Sequence, residues 1–166
     1  MGHDPMRYPL EKIVATAEEA SSLQPDALPK MKTALGDDDS AVRYWGALGI
    51  LMRGADAVAS SRKELHAALA DGSLCVRVVA AEALGRYGEA ADLDKALSVL
   101  LDVAANDKET GYAALMAVNA IDLLDKKAAG VVDKIEALQE TIKSTPERAR
   151  GYIQRILEKM LADLKG

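Results

Sequence analysis

Two arginines follow an aspartate at the same spacing, and they are the residues best suited to binding chemistry in this sequence. Arg43 comes six residues after Asp37, and Arg77 comes six residues after Asp71. A guanidinium group forms several charge-assisted bonds at once, so an aspartate in a turn can accept from backbone N–H groups and from the arginine of its own or the next segment. Near helix N-termini the same arginines could instead hold sulfate or phosphate. We expect the bonds between turn aspartates and arginines, which we call the ladder, because structural capping is the commoner use of such groups.

Tyr44 and Trp45 form an adjacent aromatic pair in a chain with a single tryptophan. In a groove the Trp45 ring could stack on a sugar or a nucleic-acid base. Large aromatic side chains dominate core burial, so we expect Trp45 in the core.

Other reactive residues lack the partners that catalysis or metal binding requires. Cys75 is the only cysteine, and a nucleophilic role would need His3 or His66 as a base. We predict a small buried thiol at Cys75 and an exposed His66. The cysteine and the histidines lack the spacing of zinc ligands. A calcium-binding loop that began at Asp37 would need a glutamate at its twelfth position, but that position is Leu48. We therefore predict no catalytic residue, metal or cofactor.

The elements that position these residues come from a repeated segment. Residues 34–54 and 68–88 share their order of residue types, with an offset of 34 positions (Val76 minus Val42). A weaker third copy spans 104–124 at an offset of 36. Such a period is typical of a solenoid of stacked helix pairs.

Apolar periodicity predicts helices along the whole chain and no convincing strand, which makes the fold class all-α. Nearly uncharged helices alternate with amphipathic ones, as expected when inner helices are covered on several sides. We predict a right-handed α-α superhelix of about four helix pairs, with residues 8–20 and 146–165 as terminal capping helices. The predicted helices span 10–20, 25–36, 40–53, 55–70, 73–87, 92–105, 109–124, 131–143 and 146–165.

Length and charge limit the possible partners. The chain has 166 residues, which fits one domain spanning 1–166, and its net charge is -5. Proteins that bind nucleic acid usually carry the opposite balance, so we expect no nucleic-acid partner. We also find no apolar run long enough for a membrane span and no signal region at the N-terminus, so we expect no membrane partner.

The repeats resemble HEAT or armadillo-like repeats, in which inner helices open with Asp, a short gap and Val-Arg. In this chain those segments are Asp39 to Arg43 and Asp71 to Arg77. The chain also resembles the C-terminal helical extension of certain bacterial sulfatases, from about Tyr8 to Leu164. The segments that carry this second resemblance are Tyr8 to Ile13, Ala41 to Gly49, Ala80 to Gly88, Ala120 to Asp122 and Arg150 to Tyr152.

The sulfatase resemblance implies an accessory role rather than catalysis. Sulfatases use a Cys/Ser-x-Pro-x-Arg motif, and Cys75-Val76-Arg77 lacks both the proline and the spacing. The resemblance implies a non-catalytic domain that packs against a sulfatase catalytic domain or helps present substrate, with sulfated glycan as a weak ligand. Such a protein would be periplasmic or exported.

Two other functions stay open. The chain could be a free-standing adaptor that binds a protein partner through its groove. HEAT-like DNA glycosylases suggest an enzymatic alternative, but these need a basic groove with aromatic wedges. The net charge of -5 and an aromatic content of 4% argue against that alternative.

Overall fold

The computed structural model describes residues 9–107 and 109–166, and in these residues the regular structure is entirely helical. The all-α prediction is therefore confirmed for the described part of the chain. Tyr8, where the sulfatase-like segment begins, and His3 lie outside it.

Short 3-10 helices span Pro25–Ala27, Asp125–Val131 and Ile142–Ser144. The α-helices are α1 (Leu10–Ser21), α2 (Leu28–Ala34), α3 (Ser40–Met52), α4 (Ala55–Ser60), α5 (Arg62–Ala68), α6 (Leu74–Tyr87), α7 (Ala90–Asn106), α8 (Tyr112–Asp122), α9 (Val132–Thr141) and α10 (Glu147–Lys165).

Three predicted helices are divided or shortened in the structure. The helix predicted over 25–36 consists of a 3-10 turn at Pro25–Ala27 followed by α2, which ends at Ala34. The helix predicted over 55–70 is divided into α4 and α5 at Ser61, whose backbone leaves the helical region at φ -111° and ψ 13°. Two consecutive serines precede α5 in the sequence, and serine competes with the helix through hydrogen bonds to nearby backbone groups. The helix predicted over 131–143 contains only α9 as α-helix, because 3-10 turns occupy both of its ends.

Acidic side chains fix where several helices begin. The Asp39 carboxylate accepts hydrogen bonds from the backbone N–H groups of Ala41 and Val42, which caps α3. Helix α7 begins with a capping box, in which the Glu89 carboxylate accepts from the backbone N–H of Asp92 and the Asp92 carboxylate accepts from the backbone N–H of Glu89. These bonds satisfy N–H groups that have no partner within the helix.

The helices pack in a regular order. Helices α1, α3, α6, α8 and α10 form a row in which each contacts the next, and we call this set the central row. The remaining helices flank it: α2 packs on α3, α4 and α5 on α6, α7 on α6 and α8, and α9 on α10. Each sequence copy thus supplies one member of the central row, which is α3, α6 or α8.

Small residues allow the helices of the central row to approach their neighbours closely. A Cβ atom added to Gly46 would lie 2.9 Å from the Met31 carbonyl oxygen of α2. One added to Gly49 would lie 3.1 Å from the Cβ of Ala20 in α1. At both positions, therefore, the missing side chain permits the close helix contact.

The last helix covers the end of the core with one apolar stripe. Ile153, Leu157, Met160 and Leu161 of α10 are buried, while most of its other side chains are exposed. Among the described residues, no helix combines the length and the apolar character that crossing a membrane requires.

Candidate functional site

Arg43 bonds the turn aspartate of the following copy, whereas the ladder hypothesis has each turn aspartate accept from the arginine of its own or the next copy. Its Nε and Nη2 atoms donate to the two carboxylate oxygens of Asp71 at 2.7 and 2.9 Å. Its Nη1 atom donates to the carbonyl oxygens of Asp37 and Asp38, each at 2.9 Å. This guanidinium therefore joins the turn of its own copy to the turn of the next copy.

The electrostatics of this contact agree with a structural role. The hydrogen bonds from Arg43 hold the pKa of Asp71 below its ordinary value, and the same bonds raise the pKa of Arg43. The two side chains are only 18% and 10% exposed, so solvent screens the pair weakly. All three guanidinium nitrogens are already bonded within the protein, which leaves Arg43 poorly placed to hold an external anion.

A second cation makes the equivalent contact one copy earlier. Lys12 of α1 forms an ion pair with Asp37, just as Arg43 of α3 does with Asp71. Burial raises the pKa of Asp37, but the bonds from Lys12 and from the Asp39 backbone N–H outweigh this effect and lower it. The repeated Asp and Arg spacing does not predict this contact, because a lysine stands at position 12 in place of the repeated arginine.

Arg77 departs from the predicted ladder. Its Nε atom donates to the Asp71 carbonyl oxygen within its own copy. Within the described residues Arg77 forms no ion pair with Asp107, the acidic residue of the third copy. The Asp107 carboxylate instead accepts from the backbone N–H groups of Ala113 and Ala114 at 2.8 and 3.2 Å. The ladder predicted a carboxylate contact between Arg77 and Asp71 of the same copy. That contact is absent among the described residues, because both oxygens of the Asp71 carboxylate accept from Arg43.

Tyr44 and Trp45 are adjacent in α3, and both pack against the hydrophobic core. Their rings meet edge to face at 79°, with centroids 5.9 Å apart. Trp45 packs against Ile13 of α1 and Val42, and it is half-buried rather than buried. The expectation of a core tryptophan is thus met only in part, because Trp45 packs against the core but stays partly exposed to solvent.

Cys75 and His66 also differ from their predicted environments. Cys75 is half-buried rather than buried, and burial, followed by the negative charge of Asp107, raises the pKa of its thiol. A thiol in that state is a poor nucleophile at neutral pH. His66 is not free on an exposed face, because its Nε2 atom lies 2.7 Å from a carboxylate oxygen of Asp92. No group of three or more metal-binding side chains occurs in the described part of the chain.

Two adjoining depressions cross the central row and share Tyr112. The first, of about 330 Å³, contains Tyr44 of α3, Cys75 of α6, and Tyr112 and Met116 of α8. The second, of about 490 Å³, lies between α8 and α10 and contains Tyr112, Leu115, Arg148 and Tyr152. We call the two depressions together the tyrosine groove. Of the predicted site residues, Tyr44 lines it.

The tyrosine groove exposes aromatic surface. Tyr112 is 63% exposed and Tyr152 is 58% exposed, more than any other large hydrophobic side chain in the described residues. The Arg155 guanidinium lies 4.9 Å from the centre of the Tyr152 ring. The sequence offers one signal for this surface, which is the spacing of Arg148, Tyr152 and Arg155 at i, i+4 and i+7 on one helix face.

Two further polar residues carry contacts that the sequence analysis missed. Asp92 is 1% exposed, and its carboxylate accepts from Arg62 Nε at 2.9 Å as well as contacting His66. Arg53, at the end of α3, donates to the carbonyl oxygens of Ala20 and Gly49 at 3.0 and 2.7 Å. Both contacts stabilise helix ends. A cation near a helix C-terminus and the Glu-x-x-Asp order at 89–92 are sequence signals that could have identified them.

Comparisons with family models, with curated protein sequences and with solved structures found no match to this chain. The likeness to HEAT repeats and to sulfatase extensions therefore rests on the quoted residues alone, and the roles that it implies stay predictions.

Proposed function

We propose that this chain is a non-catalytic helical-repeat interaction domain that binds another protein through the tyrosine groove. The observation that carries the proposal is the pair of exposed rings of Tyr112 and Tyr152 in adjoining depressions of the central row. Exposed aromatic patches of this kind are typical of protein interaction sites, where tyrosine supplies contact area at a low cost in conformational entropy.

The arrangement that we propose for the whole chain is a right-handed α-α superhelix of about four helix pairs, closed by α10. Its support is the packing order, in which successive members of the central row contact each other and each has its own flanking helix. The bond from Arg43 to Asp71 connects the first two copies, and the ion pair from Lys12 to Asp37 connects α1 to the first copy at the equivalent point. A superhelix of this type presents an extended surface, which suits a scaffold better than a catalytic pocket.

The partner that the sequence resemblance favours is the catalytic part of a sulfatase-type hydrolase, to which this chain would be an accessory domain. A free-standing adaptor with an unrelated protein partner is the alternative. Both would use the same groove, so one experiment can test the groove and also distinguish the two partners.

The experiment is site-specific photo-crosslinking in the native host. A photoreactive amino acid replaces Asn119, which is exposed on α8, or, as the control, Lys63, which is exposed on the flanking helix α5. We expect a discrete adduct from position 119 and none from position 63. Mass spectrometry of the adduct then identifies a sulfatase-type hydrolase, within the same polypeptide or a second one, or else an unrelated protein. Equal labelling from the two positions, or none from position 119, would overturn the proposal.

A further inference from the structure

The arginines next to the tyrosine groove differ from the other arginines of the described residues. Arg43, Arg53 and Arg77 donate to oxygens of neighbouring turns or helix ends, and Arg62, Arg86 and Arg150 also bond protein oxygens. Within the residues that the structure describes, Arg148 and Arg155 bond no oxygen. Arg148 lines the depression between α8 and α10, and Arg155 lies over the Tyr152 ring.

The two arginines share one face of α10 with Tyr152. At 100° per residue, positions 148, 152 and 155 point within about 60° of each other. Of the acidic residues of α10, Glu147 and Glu158 fall about 60 to 140° away from these three positions. Asp163 points in a similar direction to Tyr152, but it lies about 12 Å beyond Arg155 along the helix axis and forms an ion pair with Lys159. This face therefore combines aromatic surface with cationic groups whose planar donor geometry matches a carboxylate.

The depression beside this face is apolar at its base. Leu115, Ala149 and the two tyrosine rings line it, and its volume of about 490 Å³ is within the range of small-ligand sites. A ligand that fits the whole surface needs an apolar or aromatic side chain for the depression and carboxylates for the rim.

We infer that the tyrosine groove binds an acidic segment of the partner protein, with one large apolar side chain between Tyr112 and Tyr152 and carboxylates on Arg148 and Arg155. This inference rests on the proposed function, because it names the kind of partner that the same groove accepts. Nucleic acid fits less well, since a phosphate backbone needs a longer cationic track than two arginines on a chain of net charge -5.

The test is fluorescence anisotropy with labelled hexapeptides at low salt. The probe has the sequence Glu-Glu-Trp-Glu-Glu-Gly, and two control peptides replace its glutamates by lysine or its tryptophan by serine. We expect saturable binding of the probe alone, weakened about tenfold or more by Tyr152→Ala and by the double variant Arg148→Gln/Arg155→Gln. Melting curves establish that these variants fold, as the exposure of the three side chains predicts.

The matched control is the double variant Lys95→Gln/Lys134→Gln, which removes two exposed cations from flanking helices and makes the same change in net charge. It should bind the probe like the original protein. Equal weakening by both double variants, tighter binding of the lysine peptide, or tighter binding of a labelled oligouridylate would overturn the inference. If no acidic peptide binds while the crosslink from position 119 persists, this inference fails and the proposed function stands.

Discussion

At the scale of single residues, Arg43 contributes most to the connection between sequence copies. It forms a two-point ion pair with Asp71 and also bonds two carbonyl oxygens of the preceding turn. Removing one partner from a pair of this kind leaves the other charge and the carbonyl groups with fewer bonds at a poorly solvated site.

Arg43→Gln should lower the free energy of unfolding by about 2–3 kcal/mol, because hydrogen bonds to charged groups are worth more than neutral ones. Urea denaturation of the variant and the original protein measures the difference. The control is Lys143→Gln, which breaks an exposed ion pair with Glu140 and should cost less than about 0.5 kcal/mol. A cost for Arg43→Gln as small as that of the control would show that the ladder contact does not stabilise the fold.

Ser61 presents the opposite case, because its buried hydroxyl oxygen has no hydrogen-bond partner among the residues that the structure describes. Burying such a group costs free energy, so Ser61→Ala should raise the free energy of unfolding by about 1 kcal/mol. Thermal melts of Ser61→Ala and of Ser98→Ala, an exposed serine within α7, separate this effect from helix propensity. If Ser61→Ala is destabilising while Ser98→Ala is not, the hydroxyl has a partner in solution.

At the scale of helices, the distance between neighbouring backbones depends on particular glycines. Gly46 of α3 lies against α2, where an added Cβ would come within 3.0 Å of two backbone atoms and one Cβ atom. Backbone cannot rotate away as a flexible side chain can, so the helices themselves would have to separate.

Gly46→Ala should therefore destabilise the protein by about 1–3 kcal/mol, the usual cost of an overpacked core. Gly151→Ala in α10 is the matched control, because an added Cβ there meets no atom within 4 Å. That control should stabilise the protein by about 0.5–1 kcal/mol, since glycine disfavours the interior of a helix. Denaturation midpoints that move in the same direction for both variants would contradict the packing argument.

At the scale of the whole molecule, carboxylates hold several of the turns and helix starts together. The pKa values of Asp37, Asp71, Asp92 and Asp107 are all lowered in the folded state. For Asp71 the main cause is its bond from Arg43, while for Asp92 and Asp107 bonds from N–H groups outweigh the opposing effect of burial.

Acid should therefore destabilise the fold. An aspartate titrates near pH 3.9 when unfolded, and a lowered folded pKa means that the unfolded chain binds more protons in that range. The free energy of unfolding should be constant above about pH 5 and fall as the pH drops below about 4. Urea denaturation at pH 7 and pH 3 measures this loss.

Asp71→Asn should make the loss of unfolding free energy between pH 7 and pH 3 smaller, because the variant lacks one of the carboxylates whose pKa is lowered by folding. Asp94→Asn, an exposed aspartate on α7, is the control and should leave the loss unchanged. An identical loss between pH 7 and pH 3 in all three proteins would show that the contact of Asp71 does not contribute to acid sensitivity.

The sequence by itself determined the helical class, the repeated copies and most helix positions. Helix formation depends on capping and on apolar periodicity, and both are visible in residues that are close together in the chain. Asp39 is an example of a cap, and the apolar stripe from Ile153 to Leu161 is an example of the periodicity. The sequence also predicted that the repeated aspartates and arginines pair, but not that Arg43 bonds the aspartate of the following copy.

Only the tertiary structure decided which of these residues act together at a surface. Tyr44, Tyr112 and Tyr152 are far apart in the chain, and Arg77 resembles Arg43 in sequence yet lacks its carboxylate contact. The tyrosine groove and the missing carboxylate contact of Arg77 both depend on how helices from different parts of the chain pack. The spacing of residues along one helix does not contain the distances between helices.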